Sequence, residues 1–428
     1  MMPIMRIRSL REPLGLFAGD VVVFYLALWL TLFLRYQSWP NWPLWKLHFW
    51  PFTFLFLIWL LVFFIYDLYK NQTSLSHQKL IPVLSYAHLV NVVIAITFFY
   101  FIPYFNIAPK INLFIFLFIS FFLIVLWRKK FSPFVFRGQK EFITLVGGGE
   151  ETETLISELK NNPKYNIEII SPEAISNFKN ISPIIAIDNY NPQVISQLNN
   201  FYQLLLAGAR FVTLDDLWED IFGQIPVSLI SERWFLENIS NQPKFLYDFL
   251  KRLIDLLLGL ILALFSLPFF PIVALFIKLD DGGKVFNRQQ RVGRNGKLFT
   301  IWKFRSMKKG IVTRVGKILR STRLDELPQL WSVVKGDLSL VGPRPELPEY
   351  AEMYRRAVPY YDARHLISPG LSGWGQIYQE NHPHFKPSTE ATRDKLSYDL
   401  YYLKNRSLWL DIKICLKTIG ILLSVKGK

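Results

Sequence analysis

From Gly282 onward the sequence is polar, basic and dense in residues suited to phosphate. Five stretches carry this character: Arg288–Gly296 (RQQRVGRNG), Lys303–Met307 (KFRSM), Arg320–Gln329 (RSTRLDELPQ), Lys335–Pro345 (KGDLSLVGPRP) and Ser368–Gln376 (SPGLSGWGQ). Among them Asp325 and Glu326 form the only adjacent acidic pair. Proline is tolerated in the first turn of a helix, where its missing N–H would be unpaired anyway. With Pro328 in that place, a helix running through Leu330 and Trp331 should begin near Leu324–Leu327. Both carboxylates then stand at a helix N-terminus, where N–H groups and the dipole favour anions. Helix neighbours point about 100° apart, so one carboxylate can hold a hard cation while the other attacks a phosphorus. Magnesium suits this pattern, because it binds one or two carboxylates together with substrate phosphates. Arg320 and Arg323 flank the pair and can offset phosphate charge. Taken alone, the pair also fits the ordinary acidic preference of a surface helix start.

Val341-Gly342-Pro343-Arg344-Pro345 is harder to explain by such a preference. Two prolines fix the backbone on either side of one arginine. That presents the Arg344 guanidinium from a stiff loop, as a bidentate phosphate contact requires; a rigid connector is the plainer reading. Lys303 and Arg305 alternate with Phe304, so a strand would show both cations on one face. An edge strand guarded by charge would look the same.

The elements that must position these residues come from the rest of the chain. Of 428 residues, 51% are hydrophobic and 19% charged, and the net charge is +16. Soluble proteins carry about 25% charged residues, so a wholly soluble protein is disfavoured, and so is a disordered chain. The single cysteine, Cys415, excludes an internal disulfide framework. A nucleic-acid binder could explain the charge but would not need long apolar runs.

Four such runs precede residue 128: Phe17–Leu34, Phe49–Ile65, Ile81–Phe105 and Ile111–Trp127. Each is near the ~20 residues needed to cross ~30 Å of hydrocarbon. Arg35-Tyr36 follows the first run where a cleavable leader would carry a small-residue site, so that run is expected to stay. Asp20, near its start, is expected to reach the interface. Trp39, Trp42, Trp45 and Trp50 crowd the first connection as an interfacial belt would. Arg6, Arg8 and Arg11 precede the first run, Lys70 and Lys79 lie between the second and third, and Arg128, Lys129, Lys130 and Arg137 follow the fourth. These basic ends face the cytoplasm if four antiparallel spans form.

Residues from about 141 to 240 change character. Strands are expected at Glu141–Val146, Ile167–Ile170, Pro183–Ile187 and Ala209–Thr213, with a helix at Glu151–Leu159, which implies a small parallel α/β unit. The turn Gly147-Gly148-Gly149 could hold a pyrophosphate on its N–H groups. Its glycine spacing is incomplete, and Glu150 and Glu151 stand where phosphate would sit, so a tight packing turn is the better reading.

A fifth apolar run, Leu253–Leu279, is not expected to cross. Lys251 and Arg252 precede it, and Lys278, Lys284, Arg288 and Arg291 follow, so both ends prefer the cytoplasm. Ser266, Pro268 and Pro271 interrupt it. A mid-helix proline kinks a helix, and Ser266 could satisfy a freed backbone group. The segment is expected to enter, bend near Pro268 and return to the same face.

Residues from about 245 to 425 resemble the bacterial sugar transferase family of polyprenyl-phosphate phosphoglycosyl transferases. The stretches KLDDGGKVFNRQQRVGRNGKLFTIWKFRSM, RSTRLDELPQLWSVVKGDLSLVGPRPELP, SPGLSGWGQI and YDLYYLKNRSLWLDIKICLKTI match in order. IPVSLISERWFLEN, at residues 225–238, is similar to the linker of the family's large membrane-bound branch. Lys284, Gln290 and Ser368 depart from the usual proline, glutamate and lysine. His382 and His384 lie in a stretch that matches poorly; they read as an exposed loop rather than a metal site.

The resemblance implies a membrane protein of α plus α/β class. Four transmembrane helices would occupy residues 1–137 and a Rossmann-like α/β domain 138–244. A catalytic domain at 245–428 would carry a re-entrant helix at 253–279, broken at Ser266 and Pro268, and amphipathic helices. It also implies that Asp325 attacks the β-phosphate of a UDP-sugar, displacing UMP and forming a phosphosugar-aspartate. Undecaprenyl phosphate then takes the phosphosugar, which initiates exopolysaccharide, capsule or O-antigen synthesis. Glu326 would hold Mg²⁺. Arg344, between Pro343 and Pro345, would contact phosphate or nucleotide, with Lys303, Arg305, Arg320 and Arg323 as further substrate contacts. The expected partners are a UDP-sugar, undecaprenyl phosphate and membrane lipids, without nucleic acid and with self-association left open. The expected location is the bacterial inner membrane with the catalytic part on its cytoplasmic face. Two rival readings are a non-enzymatic membrane scaffold for glycan assembly and a transferase whose middle segment reduces or epimerises its sugar.

Overall fold

The structure, a computed structural model, describes residues 11–66, 68–69, 77–101, 110–135, 141–146, 150–160, 165–170, 184–188, 191–239, 244–378 and 388–423. Gly147-Gly148-Gly149, His382, His384 and the flanking cations Arg6, Arg8, Lys70 and Arg137 lie outside the described residues. The chain divides into two compact units, one holding the N-terminal helices and the other most of the chain from Ile185 onward.

The first unit is built on four helices: α1 Arg11–Tyr36, α2 Trp42–Ile65, α3 His77–Phe101 and α4 Lys110–Leu126, the last continued by a wider π turn, Trp127–Phe131. Each contains a stretch long and apolar enough to cross a membrane. The protein is therefore mostly helical with four long apolar helices at its N-terminal end, as a membrane protein requires. They share an aromatic core in which Phe24, Phe52, Phe56, Trp59, Phe63 and Phe116 are buried together.

Two expectations change here. Trp42, Trp45 and Trp50 lie inside α2 rather than in the connection. Asn41 caps that helix, its side chain accepting from the Leu44 N–H at 3.0 Å, and Pro43 sits in the first turn where proline is tolerated. Asp20 does not reach the surface. It is fully buried and ion-paired with Arg128, whose Nε donates to Oδ1 at 3.0 Å and whose Nη1 donates to the Leu68 carbonyl at 2.6 Å. A charge buried at a helix interface is tolerated only when paired. Arg128, counted as a flanking cation, is thus committed to holding α1 against the end of α4.

Among the described residues of the middle segment four strands lie: β1 Glu141–Val146, β2 Tyr165–Ile170, β3 Ile184–Ile187 and β4 Arg210–Thr213. Helices α5 Glu150–Lys160, α6 Leu198–Leu206, α7 Leu214–Phe222 and α8 Glu232–Asn238 alternate with or follow them.

The apolar run that follows forms α9 Phe245–Ser266 and α10 Phe269–Asp281, bent by 53° across the break. The hydrogen bonds explain the bend. The Leu267 N–H turns to the Leu264 carbonyl at 3.2 Å, and the Ser266 hydroxyl donates to the Ala263 carbonyl at 2.7 Å. Leu257, Leu260, Ile261, Leu264 and Phe265 are exposed along α9, whereas its polar residues grip the next elements. Arg252 donates to the carbonyls of Val333 and Val334 at 2.8 and 2.7 Å. Asp255 accepts from the Ser339 hydroxyl at 2.7 Å and the Leu340 N–H at 3.1 Å. Gly259 lies so close to Val333 that a Cβ there would stand 3.0 Å from a valine methyl.

The remaining elements surround this grip. An antiparallel hairpin joins β5 Phe286–Val292 to β6 Leu298–Phe304, with Asn287 opposite Lys303 and Arg291 opposite Phe299. Helix α11 Arg314–Ser321 leads through a 3₁₀ turn, Leu324–Gln329, into α12 Leu330–Lys335. Strand β7 Ser339–Val341 runs parallel to β8 Gly370–Ser372, with α13 Pro348–Ala357 between them in sequence. Helices α14 Thr389–Asn405 and α15 Leu408–Leu423 close the unit. Trp409, Ile412, Ile419 and Ile421 remain exposed on α15.

Candidate active site

The acidic pair lies in the 3₁₀ turn, not in the first turn of an α-helix. Arg323 takes a left-handed backbone (φ 58°) just ahead of it, and the α-helix begins only at Leu330. With α12 only six residues long, the charge of the pair is balanced chiefly by side chains. Glu326 Oε1 stands 3.0 Å from Lys303 Nζ and 3.2 Å from Arg344 Nη2, and Oε2 is 3.7 Å from Arg323 Nη1. Burial would raise the Glu326 pKa, but Arg344, Lys303 and Arg323 overturn that effect and hold it well below the usual carboxylate range.

Asp325 contrasts with its neighbour. It is 8% exposed, and its pKa is pushed up to about 6, first by burial and then by the Glu326 carboxylate, against the opposing charges of Lys303, Arg320 and Arg323. Two adjacent carboxylates with separated ionisation can take separate roles. If Asp325 must be ionised to act, kcat/KM should fall by about tenfold from pH 7 to pH 5, with an acid limb near 6. A flat profile over that range would mean that Asp325 does not titrate in the productive step.

The loop bearing Arg344 is held at every turn. The Gly342 N–H donates to the Ser372 carbonyl at 2.8 Å, and the Gly370 N–H to the Pro343 carbonyl at 2.9 Å. A Cβ on Gly370 would stand 2.1 Å from the Gly342 nitrogen, so only glycine permits this approach. Arg364 Nη2 donates to the Arg344 carbonyl at 2.9 Å, and Arg291 Nη1 to the Pro345 carbonyl at 3.3 Å. Arg364 is 3% exposed; it also pairs with Asp399 at 2.9 Å and donates to the Tyr361 hydroxyl at 3.0 Å. Glu346, held near a pKa of about 2 by Lys395 and Arg364 against the effect of burial, pairs with Lys395.

The structure thus gathers Asp325, Glu326, Lys303, Arg323 and Arg344 into one place, with Pro343 and Pro345 framing the loop. Arg320 acts on Asp325 through its charge from the last turn of α11. Arg305 does not share the task of Lys303. Strand β6 ends at Phe304, and the Arg305 guanidinium folds back to pair with Asp281, its Nε donating to the Lys284 carbonyl at 2.6 Å. Arg291, Gln329, Glu346, Arg364, Lys395 and Asp399 are site residues that spacing alone does not single out. Arg291 and Gln329 stand within two of the five basic stretches, whereas the Arg364 network is assembled only by the fold.

Glu326 could hold magnesium jointly with substrate. Among the described residues no cluster of three or more His, Cys, Asp or Glu could cage a metal ion. One carboxylate is within the share that magnesium takes from protein when phosphate oxygens and water supply the rest.

Comparison with known proteins gives the family. The family model described as bacterial sugar transferase matches residues 246–425. The exopolysaccharide production protein PSS of Rhizobium leguminosarum bv. phaseoli is 37% identical over 188 residues, which cover 40% of this chain and 93% of that protein. The chain belongs to the bacterial sugar transferase family. Other members that it is similar to are longer. The UDP-N-acetylgalactosamine-undecaprenyl-phosphate N-acetylgalactosaminephosphotransferase of Aeromonas hydrophila is 42% identical over 237 residues, 52% of this chain and 54% of that one. The UDP-glucose:undecaprenyl-phosphate glucose-1-phosphate transferase of Escherichia coli (strain K12) is 40% identical over 185 residues, 40% of this chain and 39% of that one. The chain therefore matches about half or less of the length of these two family members. The family match begins one residue into α9 and runs through α15, so it contains every residue of the site described above.

Proposed function

We propose that this family member transfers a sugar-1-phosphate from a UDP-sugar to undecaprenyl phosphate and releases UMP, so starting a surface glycan on a lipid carrier. The observation that carries this reading is the buried Asp325 beside a Glu326 held under three cations. The relatives' names support it, since they describe transferases joining UDP-sugars to undecaprenyl phosphate. The PSS protein's name adds exopolysaccharide production.

In the proposed mechanism the ionised Asp325 carboxylate attacks the β-phosphorus of the UDP-sugar. The bond from that phosphorus to the bridging oxygen breaks, and UMP leaves with the electron pair. An oxygen of the lipid phosphate then attacks the same phosphorus. Asp325 is released as carboxylate, and the sugar is left on a lipid diphosphate. The bond between sugar and phosphate oxygen is untouched. Splitting one displacement into two lets a soluble and a lipid substrate use one nucleophile in turn. Glu326 stays ionised throughout, and Lys303, Arg323 and Arg344 can turn from it toward the diphosphate. Magnesium shared by Glu326 and substrate oxygens would supply charge neutralisation at the phosphates.

The same reading sets the membrane arrangement. Residues 1–137 form the spanning part, 138–244 a Rossmann-like α/β domain, and 245–428 the catalytic domain on the cytoplasmic face of the inner membrane. In it α9 and α10 form a re-entrant hairpin, supported by their bend and by the basic residues at both ends. A reporter fused after Lys428 should read as cytoplasmic; a periplasmic signal would make the bent pair a fifth span. Purified full-length protein given Mg²⁺, undecaprenyl phosphate and a panel of UDP-sugars should release UMP with at least one of them. No release across glucose, galactose and their N-acetylated forms would favour a scaffold.

A further inference from the structure

Beside the acidic pair lies a recess that the reaction as proposed leaves without a task. It has a volume of about 10 Å³ and is bordered by Arg291, Lys303, Gln329 and Arg344, with Ile301 and Leu371 among its apolar walls. That is roughly the room of one water molecule or one phosphate oxygen. Gln329 is 5% exposed, and its Nε2 has no hydrogen-bond partner among the described residues. Arg291 uses Nη1 on the Pro345 carbonyl and Nη2 on Gln289 Oε1, at 3.3 and 2.8 Å, while its buried Nε has no partner among the described residues. Two buried donors left without acceptors at one small space are costly unless something occupies it. Three cations border the same space, and the Glu326 carboxylate is already shared between two of them and Arg323.

We propose that Arg291 and Gln329, with Lys303 and Arg344, form an oxyanion recess that seats a phosphate oxygen of the substrate diphosphate. This rests on the sugar-nucleotide reading above and adds two residues to it. The placement follows from the fold. Gln329 ends the 3₁₀ turn that carries Asp325, four residues further on. Arg291 comes from β5 and Lys303 from the facing strand β6, so the hairpin and the turn meet at the recess. The Arg291 fork is anchored by the loop that carries Arg344, so one rigid frame fixes both guanidinium groups relative to the nucleophile. Burial and the nearby Arg344 charge push the Arg291 pKa down, a strain that an arriving anion relieves.

The test uses full-length protein in detergent and two variants, Gln329→Leu and Arg291→Lys. Gln329→Leu removes the amide donor at similar size, and Arg291→Lys keeps the charge but loses the Nε donor together with the Nη contacts to Pro345 and Gln289. Inorganic pyrophosphate, UDP and uridine are titrated calorimetrically, and thermal unfolding checks each variant. Each variant is expected to weaken pyrophosphate and UDP binding about tenfold and to leave uridine binding unchanged. Unchanged pyrophosphate affinity in both variants would mean that a water fills the recess and would overturn the proposal. So would equal losses for uridine, or a wild-type protein that binds no pyrophosphate. A wild-type protein that releases no UMP, yet loses pyrophosphate binding in both variants, would overturn the transferase reading and leave the recess standing.

Discussion

Asp325→Asn should reduce UMP release by about 10³-fold or more, because an amide of the same shape cannot form the acyl-phosphate bond. The same substitution should leave the fold intact. Its sign on stability follows from the pKa of Asp325, raised from 3.8 to about 6. A carboxyl raised in the folded state contributes stability below its unfolded pKa, and that contribution is lost as pH rises from about 4 through about 6. At neutral pH the wild-type protein therefore carries an unfavourable buried charge that asparagine removes. The unfolding midpoint of Asp325→Asn at pH 7 should equal or exceed that of the wild type. Activity and stability then move in opposite directions, as a nucleophile requires and a structural carboxylate does not. A wild-type rate in Asp325→Asn would transfer the nucleophile's role elsewhere.

Glu326→Gln should lower the rate by about 10²-fold at fixed magnesium, a loss comparable to removing one strong electrostatic contact to transferring phosphate. It should also raise the magnesium concentration needed for half-maximal rate. Its diagnostic effect is on pH. The Glu326 carboxylate is one of the two causes that lift the Asp325 pKa, so its removal should shift the acid limb of kcat/KM below 6. Lys303, Arg323 and Arg344 lose their shared anion at the same time and are freed to face substrate. An unchanged magnesium response together with an unmoved acid limb would remove Glu326 from both roles.

Much of the site is legible in the sequence because its chemistry is local. Asp325 and Glu326 are adjacent, and the two prolines around Arg344 announce a stiff loop without any tertiary information. The four apolar helices are legible for the same reason, since length and composition decide them. The failures share a different cause. Arg305 alternates correctly with Lys303, but the strand ends between them, and Asp281 is nearer to its guanidinium than the acidic pair. Asp20 looks like an interfacial carboxylate until Arg128, 108 residues away, is brought to it. Pro328 marks a turn, but it does not separate a 3₁₀ turn from the first turn of an α-helix. Arg364 gives no signal at all in its own neighbourhood. Its importance lies in holding the Arg344 carbonyl, and that contact exists only once β7, β8 and α14 are assembled.

The grip of α9 on the catalytic elements has a consequence for depth. Arg252, Asp255 and Gly259 bolt one stripe of the helix to Val333, Val334 and Ser339, while the other stripe is bare leucine, isoleucine and phenylalanine. Such a helix is a gauge: whatever level its bare stripe settles at in an apolar layer, the nucleophile is set at a fixed height above it. Moving the bolts by one residue would shift the catalytic elements by about 1.5 Å along the axis of α9 and turn them by about 100° about it. In the proposed reaction the acceptor phosphate is tethered to lipid, so the level at which the chemistry stands would be written into the register of these three residues.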